Sequence, residues 1–113
     1  MAILPLIGET EEITFTPAAA GGDEFDNAAG TSGLQLKNTT GGDLRVEFVE
    51  QRDCSYGEQD VHTSRIVTVL AGKTLRIPRF DMWRYNSTAK RVEMVYPDGE
   101  AGLEMAALDR PSV

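Results

Sequence analysis

The only histidine, His62, lies among Cys54, Asp53, Asp60 and Ser64, a set of side chains suited to a nucleophile–base pair or a metal site. A structural zinc wants four nitrogen or sulfur ligands, and Cys54 and His62 are the only two such side chains here. A Cys–His pair also needs an orienting group and oxyanion donors, which a sequence does not display. The commoner role of such a cysteine is that of a small buried hydrophobe. Gly72-Lys73-Thr74 has the ending of a phosphate-binding loop, but the glycine required five positions before Gly72 is Val67, inside a β-type run. A hairpin turn is the better reading. The acids between Glu9 and Asp26 lack the Asp-x-Asp-x-Asp-Gly order of a calcium loop and read as a solvated face. No enzyme signature, metal or cofactor is expected.

Two further groups concern recognition. Trp83 and Tyr85 sit two apart, so on a strand they would share one face while Phe80 and Met82 take the other. One set should then lie outside or at an interface. Exposed, Trp83 and Tyr85 could stack on a sugar; a subunit contact is the favoured reading, because aromatics are enriched in interface cores. Asn38-Thr39-Thr40 and Asn86-Ser87-Thr88 match glycosylation sequons and read more simply as turns.

The elements that must position these residues are strands. Alternation of apolar and polar residues runs through Ile13–Thr16, Leu34–Lys37, Leu44–Phe48, Arg65–Leu70, Thr74–Ile77, Phe80–Tyr85 and Arg91–Tyr96. Gly21-Gly22-Asp23, Gly41-Gly42-Asp43, Ala71-Gly72-Lys73, Asn86-Ser87 and Pro97-Asp98-Gly99 supply the turns between them. Gly102–Leu108 contains good helix formers, but it follows a Pro-Asp-Gly turn and reads as a returning strand. Residues 17–33 read as a long Gly/Ala-rich loop. Seven or eight short antiparallel strands with regular turns predict an all-β, single-domain sandwich of jelly-roll type over residues 1–113. With 113 residues and 41% apolar content, one core is affordable and a separate cofactor domain is not.

Charge excludes some partners. There are 18 Asp and Glu against 11 Lys and Arg, a formal net of −7, which argues against a nucleic-acid binder. No apolar run approaches the length of a membrane span, and the opening Met1–Gly8 has no basic flank, so a protein made in the cytoplasm is expected. Residues 1–36 carry Glu9, Glu11, Glu12, Asp23, Glu24 and Asp26 with no Lys or Arg. Residues 65–91 carry Arg65, Lys73, Arg76, Arg79, Arg84, Lys90 and Arg91 against Asp81 alone. The two segments could face each other within a monomer, form a head-to-tail contact between neighbours in a ring, or simply be two solvated faces.

The order of short motifs resembles a known family. Gly22-Asp23-Glu24-Phe25-Asp26-Asn27 is followed by Leu34–Asn38, by Cys54-Ser55-Tyr56-Gly57 with His62, and by Val69–Thr74 with Ile77-Pro78. Tyr85-Asn86, Val92–Tyr96 and Met105–Leu108 close the series, which spans most of the chain. It is similar to the small head decoration, or cement, proteins of tailed bacteriophages, encoded beside the major capsid protein. The resemblance implies a compact β-sandwich bound to the outer surface of an assembled virion capsid, often as a homotrimer, with the major capsid protein as partner.

Candidate contact residues are Ile3, Leu4, Leu6, Ile7, Arg76, Arg79, Trp83, Arg84 and Tyr85. Residues 1–11 are read in two ways. Ile3, Leu4, Leu6 and Ile7, stiffened by Pro5, form either an arm reaching a neighbouring edge or the first strand of the sandwich itself. Two other functions remain open. One is a carbohydrate-binding sandwich using Trp83, Tyr85 and Tyr56; the other is a neck or tail-completion protein of the same particle.

Overall fold

The computed structural model describes residues 1–8, 10–51 and 65–109. Cys54, Tyr56 and His62 lie outside them. Ten strands and one helical turn follow in chain order among these residues: β1 (Ala2–Ile3), β2 (Leu6–Ile7), β3 (Thr16–Pro17), β4 (Asp23–Asp26), β5 (Ser32–Asn38), β6 (Leu44–Phe48), β7 (Arg65–Val69), β8 (Thr74–Ile77), α1 (Met82–Tyr85), β9 (Arg91–Val95) and β10 (Leu103–Asp109). They form two sheets, ordered β1-β4-β9-β6-β7 and β2-β10-β5-β8, with β3 also paired to β10. The chain is an all-β sandwich.

Alternation built the longer strands as expected. In β5, Leu34 and Leu36 point inward while Gln35 and Lys37 point out, and in β6 Val46 and Phe48 are buried between more exposed Arg45 and Glu47. Phe25, Val92, Met94, Leu103 and Met105 from the facing strands complete the core at 0–1% exposure. Pairing of β10 to β5 runs unbroken from Leu103↔Asn38 to Asp109↔Ser32. Residues 103–109 are therefore strand despite their helical composition, because Leu103, Met105 and Ala107 must meet the opposite sheet every second residue.

Three expectations change, and a choice between two readings is decided. The 17–33 loop contains β4 and the start of β5, since Phe25, flanked by acids, is a core residue at 0% exposure. In the 13–16 run only Thr16–Pro17 pairs; Ile13 is exposed, and Phe15 turns onto Ile7, Ala106 and Leu108 on the outer side of β10. Phe80–Tyr85 is not a strand, as described below. Of the two readings of the N-terminal segment, the one that places it in the sandwich itself holds. Ala2↔Asp23 and Ile3↔Glu24 pair parallel to β4, and Leu6 and Ile7 pair parallel to β10. Between them the chain crosses from one sheet to the other, with Leu4 in the core at 4% exposure. Two-residue strands are too short to show periodicity, and burying Leu4 and Ile7 is worth more to the domain than leaving them in water.

One buried polar contact ties this corner. Asp23, 1% exposed, accepts hydrogen bonds from the backbone N–H of Ala19 at 2.9 Å and from the Tyr96 hydroxyl. Burial, then the hydrogen bond to Asp23, raises the Tyr96 pKa well above its usual value. An unfolded tyrosine ionises near pH 10.0, so this contribution to stability is complete below that pH and is lost as pH rises above it. Tyr96→Phe is expected to lower unfolding free energy by about 1–3 kcal/mol at neutral pH, since Asp23 loses a buried donor. The gap between wild type and variant should narrow above pH 10.0, as urea titrations at stepped pH will record.

Candidate interaction surface

At one end of the sandwich the segment 79–86 is folded into a protruding helical turn. Its start is set by Asp81, whose side chain caps the turn by accepting from the Trp83 N–H at 3.0 Å. The Tyr85 and Asn86 N–H groups then donate to the carbonyls of Asp81 and Met82, each at 3.0 Å. Phe80 and Tyr85 are thereby turned inward, at 2% and 4% exposure, and the residues between them are turned outward.

The turn is fixed from beneath. The Phe80 ring stands 5.3 Å from Phe25, 5.0 Å from Phe48 and 5.7 Å from Tyr85, edge-to-face or tilted in each case. Asn27, fully buried, donates to the Phe80 carbonyl at 3.1 Å and to the Asn86 side chain at 2.9 Å. Asn86 returns a bond to the Asn27 carbonyl at 2.9 Å. Laterally, Arg84 lies over the Tyr85 ring at 5.3 Å and its Nε donates to Glu50 at 2.9 Å. That hydrogen bond raises the Arg84 pKa above its ordinary value.

Met82 and Trp83 are presented to solvent on this platform, at 47% and 56% exposure. With Gly30, Arg79, Phe80 and Asp81 they border a recess of about 520 Å³. Arg79 and Arg84 are exposed beside them. The combination of one aromatic, one thioether and two guanidiniums is typical of protein contact sites. No group of three His, Cys, Asp or Glu among the described residues is arranged to hold a metal ion. Nor is any helix among them long and apolar enough to cross a membrane.

The nine sequence candidates are therefore dispersed. Arg79, Trp83 and Arg84 come together here. Tyr85 belongs to the core, so Trp83 and Tyr85 do not share a face, and their pairing as a sugar platform is lost. Leu4 and Ile7 are buried, Leu6 is half-buried and Ile3 is exposed on β1. Arg76 projects outward from β8, away from the recess lining. Both sequon asparagines are engaged as turn residues. Asn38, 1% exposed, donates to the carbonyls of Gly42 at 2.7 Å and Val69 at 2.9 Å, while the Asn86 amide is held by Asn27.

Met82, Gly30 and Asn27 are not among the nine sequence candidates. Asp81, two residues before Trp83, is the local signal that marks this turn, since Asp is a favoured helix cap. Gly30 adopts φ +72°, and a Cβ there would stand 2.4 Å from the Met82 sulfur. Gly30→Ala is expected to swing Met82 out of the recess and to lower unfolding free energy by about 1–2 kcal/mol through left-handed backbone strain. A thermal melt of the variant beside wild type measures it.

The chain matches no family model, no curated protein and no solved structure.

Proposed function

We propose that this chain is a structural virion protein that decorates the outer surface of an assembled tailed-phage head and stabilises it. The single observation that favours a binding role is the Met82–Trp83 pair, flanked by Arg79 and Arg84 and held outward on a turn pinned to the core. Exposing two large apolar side chains on a rigid support is useful when a partner covers them. The ordered motifs from Gly22-Asp23 to Met105–Leu108 supply the identity of that partner by resemblance: the major capsid protein.

Cementing on this reading is mass action. Copies that bind across capsomer seams only in the closed shell stabilise the shell against opening, with no catalytic step and no cofactor. The acidic balance of the chain suits an outer surface, away from packaged DNA.

Co-sedimentation with undecorated heads of the parent particle tests the proposal. Binding is expected to saturate at a multiple of the capsomer or three-fold positions. Binding by only a handful of copies would favour a neck protein, and no binding would overturn decoration. Quenching of Trp83 fluorescence by sugars would instead favour a carbohydrate-binding role, one in which the buried Tyr85 takes no part.

A further inference from the structure

The strand order places two exposed, oppositely charged groups at opposite edges of the sheets. On one side the sheets are bounded by β1 and β2, and the chain between β2 and β3 carries exposed Glu11 and Glu12. On the other side, among the described residues, the sheets are bounded by β7 and β8, and these strands with their connecting turn carry exposed Arg65, Lys73 and Arg76. These two edge groups therefore do not neutralise each other inside one copy. Between the longer segments 1–36 and 65–91, Arg91–Glu24 at 2.9 Å, near the start of β9, is the only ion pair among the described residues. Each side also exposes large aliphatic side chains: Ile3 at 59% and Ile13 at 42% on the acidic side, Ile66 at 51% and Leu70 at 55% on the basic side.

We propose that copies of this chain associate head-to-tail, the acidic β1–β2 side of one sandwich docking against the basic β7–β8 side of the next. The occupant is a second copy because each copy carries both complementary halves, each with apolar residues to bury beside its charges. A two-fold contact that matched either side with itself would face like charges, which disfavours it. A heterologous contact of this kind closes into a ring or continues as a chain, according to the rotation between copies. It involves different strands from the Met82–Trp83 turn, so it stands whether or not the protein binds phage heads.

The test uses the full chain in sedimentation velocity over a concentration series, without heads. Wild type is expected to self-associate, more weakly at high salt. Lys73→Glu with Arg76→Glu gives a protein acidic on both sides, and Glu11→Lys with Glu12→Lys gives one basic on both sides. Each variant alone should raise the dissociation constant by about a hundredfold or more. Mixed in equal amounts the two should associate again, because opposite charges meet wherever one variant docks on the other. Circular dichroism checks that these surface variants fold, and Leu70→Ser, which changes no charge, should also weaken the wild-type contact. A wild type that stays monomeric throughout, variants that associate as well as wild type, or a mixture that fails to reassociate would each overturn the proposal.

Discussion

Phe80→Ala is expected to remove about 3–5 kcal/mol of stability, a large part of the roughly 5–15 kcal/mol that holds a domain of this kind folded. Three aromatic partners surround this ring, with centroids 5.0–5.7 Å away, so truncation opens a cavity that Phe25, Phe48 and Tyr85 all line. Such rings stand on strands and on the turn itself, and cannot collapse inward without moving both. The urea midpoint should fall by about 1 M or more, given slopes of about 1–3 kcal/mol per molar for small proteins. Far-UV circular dichroism is the proper readout, since the single tryptophan, Trp83, is half-exposed and senses the surface of the turn rather than the core. A loss below about 1 kcal/mol would mean that Phe80 does not couple the turn to the core as described.

Trp83→Ala should have the opposite signature. With 56% of its surface exposed, the side chain adds little to folding, and stability should stay within about 0.5 kcal/mol of wild type. Binding to undecorated heads should weaken at least about 30-fold, corresponding to the roughly 2 kcal/mol or more by which interface hot spots are recognised. The Asp81 cap and the inward anchors Phe80 and Tyr85 fix where the indole stands before any partner arrives, so little ordering cost offsets its burial. Equilibrium pelleting with labelled protein measures the change. Unchanged affinity in a folded variant would remove this surface from the contact and leave the decoration proposal to rest on other residues.

Much of the fold was legible because alternation survives wherever a strand has one wet face. Leu34-Gln35-Leu36-Lys37 and Leu44–Phe48 needed nothing more, and the returning strand at residues 103–108 was recognised from the turn before it. The site was less legible. Phe80-Asp81-Met82-Trp83-Arg84-Tyr85 reads as a strand by composition, yet its buried residues are the first and last, a spacing that one capped helical turn satisfies. The Asn27–Asn86 pair that steadies the turn joins residues 59 apart, and nothing local marks it. The charge bias was plain in the sequence, but which edges it would occupy depends on the order of strands in two sheets, a property of long-range pairing.

The place of β10 has a consequence for biosynthesis. This strand joins β2, β3 and β5, so the second sheet is organised around the element translated last of all those described. At about 5–20 residues per second, the ribosome will have exposed Leu34, Leu36 and Ile7 for several seconds before Met105 and Leu108 can cover them. The second sheet then cannot close until β10 has been made, and chains stopped short of it are the form that chaperones and proteases meet.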